Sequence, residues 1–193
     1  MTPGRYALAG WLAIAQAVLF FPTIALALFF EWISRRFPGS VLLAALLQVL
    51  GVAAGVYVLL AFRSLLHEVE DFRAADLLIT LLIWISLASA GLGLLGLLSQ
   101  SNGLPAAWTV APVVLTGGLL AAHGIVSIVF GRRLLSMKDD LSGLLKPFAH
   151  TTVASGALTL TVVGAPIGLA LALAAIVMQG MILLRANEDV QFV

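Results

Sequence analysis

The sequence predicts an all-α fold, a polytopic membrane helical bundle of about five transmembrane helices with an amphipathic helix lying in the cytoplasmic interface. Three observations carry this. Of 193 residues, 62% are hydrophobic and only 10% charged, where a soluble domain carries about a quarter charged residues. The mean hydropathy is +1.13. Charge-free apolar stretches recur along the chain, each long enough for the roughly 20 residues that cross a bilayer. Together they use most of the sequence, so residues 1–193 read as a single integral membrane domain with no room for a soluble one.

The first stretch, about 8–33, is far longer than the apolar core of a signal peptide and reads as a retained span, kinked at Pro22. The second covers about 41–62, the third 77–98 and the fourth about 110–130, with Pro112 tolerated in its first turn. The last, about 153–184, would measure roughly 48 Å as straight helix against a hydrocarbon core of about 30 Å. One long span, tilted or bent at the Gly164–Gly168 segment around Pro166, is more economical than two spans and a turn. Between the fourth and fifth spans, residues 132–148 place Leu134, Leu135, Leu141, Leu144, Leu145 and Phe148 at helical spacing among charged and small polar residues. That pattern suits a helix lying in the interface, ended by Pro147.

Five spans put the termini on opposite sides, and the distribution of Lys and Arg orients them. Arg5, Arg63, Arg73, Arg132, Arg133, Lys138 and Lys146 fall together, against Arg35, Arg36 and Arg185. The amino terminus is therefore expected in the cytoplasm and the carboxyl terminus outside. The compact, loop-poor design points to a prokaryotic inner (cell) membrane. Trp32 and Trp108 suit an outer aromatic belt, Trp11 and Trp84 the inner half. The loop residues Arg63, Leu65, Leu66, Glu70, Asp71 and Phe72 match Arg132, Leu134, Leu135, Asp139, Asp140 and Leu141 at one fixed offset. Spans two and three and spans four and five are thus candidates for parallel hairpin repeats.

Several chemistries are excluded by composition. No cysteine occurs, which removes disulfides, thiolate nucleophiles and cysteine metal sites. A net charge of +1 without a basic run gives no footprint for nucleic acid. No carboxylate sits deep in a span, as proton-coupled carriers require: Glu31 ends the first span and Asp76 begins the third. Motifs for serine hydrolases, zinc proteases and P-loops are missing. Gly91–Gly96 matches a dinucleotide-binding glycine pattern but lies inside an apolar span with no preceding strand. No cofactor is implied.

What remains is sparse. His123 is the one ionisable group well inside a span, and with Thr116 and Ser127 it forms a polar stripe on one helix face. The stripe could serve a ligand, or His123 could be a neutral histidine bonded to a neighbouring helix. A bis-histidine haem lacks its second ligand, since His67 and His150 lie at the boundary. Gln16, Gln48 and Gln179 are amides in three spans and should face other helices. Gly51 and Gly55, one turn beyond Gln48, and Gly164 and Gly168 beside Pro166 read as close-packing motifs, and Ser86, Ser89, Ala90, Gly93 and Gly96 give the third span a similar small face. A cytoplasmic charge belt comprises Arg63, His67, Glu70, Asp71, Arg132, Arg133, Asp139 and Asp140. With Glu68 and His150 it contains metal-ligand types, but the spacing does not demand a metal and the cations can pair the acids.

Three functions compete on these grounds. The leading expectation is a non-enzymatic accessory or scaffold subunit acting through helix packing, in contact with membrane lipid and with a membrane protein partner or a second copy of itself. The alternative is a carrier or binding protein for a small apolar or amphipathic molecule, which an enclosed polar pocket at His123 would favour. An enzyme acting on lipid or isoprenoid comes third and would need the cytoplasmic acids and histidines to converge.

Overall fold

The computed structural model describes residues 4–28, 39–101, 107–138, 141–161 and 164–191. These residues form six α-helices: α1 (Arg5–Leu28), α2 (Ser40–Glu70), α3 (Asp76–Ser101), α4 (Ala107–Leu134), α5 (Leu145–Thr159) and α6 (Ala165–Gln191). A single 3-10 turn, Leu141–Gly143, precedes α5. All except α5 are long and apolar enough to cross a membrane. In an apolar medium a helix satisfies its own backbone polar groups, so such runs have no competitive alternative.

Each helix packs on its predecessor, and α6 closes back onto α1, so the six form a ring with a few contacts across it between α2 and α6. Neighbours run antiparallel. Gln16 of α1 bonds Gly51 of α2 while Arg5 bonds Ser64; Gln48 of α2 bonds Ala90 of α3 while Arg63 bonds Asp76. The closest approaches use glycine pairs. A β-carbon on Gly124 of α4 would lie 2.9 Å from the Gly156 carbonyl oxygen of α5, and one on Gly156 2.6 Å from the Gly124 oxygen. Elsewhere the interior is aliphatic and aromatic. Phe62, Phe130 and Phe148 meet edge to face, with ring centroids 5.5–6.4 Å apart, the geometry favoured by the ring quadrupole. The outer surface is apolar too, with Trp11, Phe21, Leu42, Leu77, Trp84 and Val114 exposed.

Three expectations are corrected. Residues 132–148 do not form one interfacial helix: α4 ends at Leu134, and the chain turns before α5 begins at Leu145. Pro147 lies in the first turn of α5 rather than at a break, where its missing N–H costs nothing. Likewise the stretch 153–184 is not one tilted helix. It reverses after Thr159 and restarts at Ala165, with Pro166 in the first turn of α6. The Thr161 hydroxyl stabilises the reversal, donating to the Leu158 carbonyl and accepting from the Gly164 N–H. Because α5 adds a reversal of direction, the carboxyl-terminal end of α6 returns to the amino terminus: the Gly4 N–H donates to Asn187 Oδ1 at 3.1 Å. The two ends therefore lie on the same side of the bundle, not on opposite sides. Arg185 joins Arg5, Arg63, Arg73, Arg132, Arg133, Lys138 and Lys146 at one charged end, while Arg35 and Arg36 lie outside the described residues, as do Glu31, Trp32, the Asn102–Pro105 turn, Asp139 and Asp140.

At that charged end, α2 stops at Asp71, which adopts left-handed backbone (φ 48°) with its N–H bonded back to the last turn. Asp is among the few residues that take this conformation without glycine. The offset that takes Arg63 to Arg132 also takes Asp76, the start of α3, to Leu145, the start of α5. The parallel stops there. α5 has 15 residues against 26 in α3, and leucine stands where Asp76 holds its ion pair.

Candidate functional site

The ring surrounds a half-open cavity of about 230 Å³ to which every helix contributes: Gln16 from α1, Gly55 from α2, Ser86 from α3, His123 and Ser127 from α4, Thr152 and Ser155 from α5, and Gln179 from α6. Gln16, Ser86 and His123 each lie about three turns from the charged end of their helix, near 15 Å along the axis. That is half the thickness of a bilayer's hydrocarbon core. The remaining wall is apolar, including Val58, Leu82, Ala175 and Ile176. Phe130 and Phe148 form part of the wall and belong to the aromatic trio with Phe62, all three buried. The trio separates the cavity from the charged end.

Most of these polar groups are satisfied by backbone. Gln16 Nε2 donates to the Gly51 carbonyl at 2.6 Å, Ser86 to Leu82 and Thr152 to Phe148 within their own helices at 2.8 Å, and Ser155 across to the Gly168 carbonyl of α6 at 2.8 Å. Three are not. Gln179 is only 7% exposed, and its Nε2 has no hydrogen-bond partner. Among the described residues, none bonds the His123 ring or the Ser127 hydroxyl. An unpaired buried donor costs about 1–3 kcal/mol, a cost that Gln179 Nε2 bears here. No Asp, Glu, Lys or Arg lines the cavity.

A second cavity, of about 520 Å³, adjoins the first and shares Gln16, Gly55, Ser86 and Ile176 with it. It runs between α1 and α2 over α6, lined otherwise by residues such as Leu12, Leu19, Phe20, Leu47 and Leu50. Leu19 and Leu50 are more than half exposed at 53% and 63%, so this space opens onto the apolar surface.

The structure thus brings His123 and Ser127 to one site and leaves Thr116 out. Thr116 is exposed because α5, which covers the inner part of α4, reverses before reaching that level. The packing glycines divide similarly. Gly55 faces the Gln16 amide, whereas the β-position of Gly51 meets no atom within 4 Å. Gly168 packs against Thr159 and the Ser155 carbonyl, and Gly164 against Thr161 and Leu158 beside Pro166. Gln48 sits on α3 against Gly93 and bonds Ala90. Pairs that carry much of the packing, Gly10 with Gly180 and Gly124 with Gly156, have no local sequence signal because the partners are remote in the chain.

The charged end holds one compact cluster. Arg63 donates from Nε and Nη2 to the two oxygens of Asp76, each at 3.0 Å, and His67 Nε2 lies 2.7 Å from Asp76 Oδ1. This bidentate geometry is the strong form of such a pair. Its acid, Asp76, is absent from the charge belt read from sequence. Asp71 pairs with Arg73 in the open at 2.9 Å, Arg132 and Arg133 are exposed, and the Glu70 side chain lies outside the described residues. Among the described residues no three His, Asp or Glu side chains gather as a metal site. Comparisons with protein-family models, curated proteins and solved structures give no match.

Proposed function

We propose that the chain is a multi-pass protein of a cell membrane, its charged end cytoplasmic, which binds or carries a small amphipathic molecule in its central cavity. The orientation follows from the eight Lys and Arg residues gathered at one end out of ten in the chain, the bias expected of cytoplasmic loops. One observation carries the functional reading. Polar side chains from five of the six helices converge on one cavity in an otherwise apolar interior, and the Gln179 donor in its wall is unpaired. A protein built only to pack would fill that space with aliphatic side chains at less cost.

Native mass spectrometry of the protein extracted in mild detergent tests this. A bound small molecule should be retained by the wild type and lost from Gln179→Leu and from His123→Ala, both still folded. An identical spectrum for all three would refute binding at the cavity.

The second reading, an accessory subunit acting through helix packing, draws on Gly117 and Gly118, whose β-positions meet no atom within 4 Å. A bare backbone stripe of this kind lets a partner helix approach closely. It predicts a co-purifying membrane protein or a second copy that Gly117→Leu displaces.

A further inference from the structure

The two adjoining cavities differ in chemistry, and together they describe a guest. The inner one offers hydrogen-bonding groups, with the Gln179 amide N–H unpaired and nine-tenths buried. The outer one is aliphatic and aromatic apart from the shared rim and Gln48, whose amide donates to the Ala90 carbonyl; it is about twice as large and ends at surface leucines. Neither contains an ionisable residue other than His123. A free donor calls for an acceptor oxygen, and a site without counter-charges penalises a charged head. The outer cavity opens laterally, between α1 and α2, at Leu19 and Leu50, while the aromatic trio lies between the inner cavity and the charged end.

We infer that the ligand is a neutral lipid, reaching the cavity sideways from the bilayer between α1 and α2, with its oxygen-bearing head on Gln179 and its chain lying along Leu19, Leu47 and Leu50. This rests on the central cavity being a binding site, and adds the class of ligand and its route. A hydroxyl, a quinone carbonyl or an ester oxygen supplies the same acceptor, and a single alkyl or isoprenoid chain fits the corridor. The rim residue Gln16 is already engaged with Gly51, which leaves its carbonyl oxygen to meet a hydroxyl hydrogen from the head.

Photolabelling decides the matter. Membranes containing the full chain are incubated with hexadecanol carrying a mid-chain diazirine, or with the carboxylate of the same chain, irradiated and digested. Peptides containing Leu19, Leu47 and Leu50 should be labelled about tenfold more by the alcohol than by the carboxylate, the ratio expected for one buried hydrogen-bonded head. Gly51→Phe should abolish that labelling. It fills the corridor from a position where a β-carbon meets nothing within 4 Å, and Leu47→Trp serves as a second block should the first variant elute as aggregate. Labelling around Trp84, on the open surface, should be unchanged throughout. Equal labelling by the two head groups overturns neutrality. Gln179→Leu is labelled in parallel and should lose the alcohol adduct. Corridor labelling that survives both blocks overturns the lateral route but leaves the cavity as a binding site so long as that dependence on Gln179 holds. Loss of that dependence would instead remove the binding site itself.

Discussion

Gly10 and Gly180 meet so closely that a β-carbon on either would come within 2.8 Å of the other's carbonyl oxygen. This contact closes the ring, because it joins the first helix to the last. A side chain cannot be accommodated there without separating two backbones. We expect Gly10→Val or Gly180→Val to destabilise the protein by about 2–3 kcal/mol, the upper range for overpacking a tight site, read as a lowered unfolding midpoint in detergent. Gly51→Ala, on an open face, should instead be neutral or gain up to about 1 kcal/mol through helix propensity.

Removing the unpaired donor should separate stability from binding. Gln179→Leu replaces a buried, unsatisfied amide with an apolar group of similar size, a change that is neutral or favourable when no partner is left stranded. We expect the ligand-free variant to melt no lower than wild type, and up to about 1 kcal/mol more stably, while the stabilisation that added ligand gives the wild type disappears.

The Arg63–Asp76 pair is about one-third exposed on the Arg side and one-quarter on the Asp side, so solvent weakens it relative to a buried pair. A double-mutant cycle with Arg63→Met and Asp76→Asn should return a coupling of about 1 kcal/mol. A coupling near zero would show that the two helices are fastened at this end by packing of Phe62 and Leu66 alone.

Because the chain has no cysteine, single thiols report topology cleanly. Cysteines placed at Gly4 and at Asn187 should react with an impermeant maleimide from the same side of sealed vesicles, and the double variant should form a disulfide on oxidation. Opposite-sided labelling would contradict the contact between Gly4 and Asn187.

The sequence and the structure part company where proline is concerned. Hydropathy is enough to place α1 to α4, since a charge-free run of some twenty residues has one stable form in hydrocarbon. Pro147 and Pro166, read as a stop and a bend, both open helices. The same absent N–H that breaks a helix interior is harmless in its first turn, and only the position of the turn, fixed by Thr161 with Leu158 and Gly164, distinguishes the two. That one misreading hides α5, puts Asn187 on the wrong side, and takes Leu144, Leu145 and Phe148 for an interfacial stripe when Leu145 and Phe148 belong to the core. For the cavity, sequence yields the polar groups one at a time: His123, Ser127, Gln16 and Gln179 stand out against leucine. Their convergence does not, because it depends on which helices close the ring. Thr116 shares the stripe of His123 but not its neighbour, since α5 ends too soon to cover it.

The most direct test of a polar cavity inside this apolar bundle is the reactivity of a lone thiol at Ser127, a buried residue of its wall. In membranes, Ser127→Cys should react with N-ethylmaleimide, because a polar space admits the water that thiolate formation needs, and added decyl-chain quinone or hexadecanol should slow it. Leu66→Cys, in the fully buried core, should stay inert. If Ser127→Cys proves as inert as Leu66→Cys with no ligand present, the cavity is dry packing and the binding role falls with it.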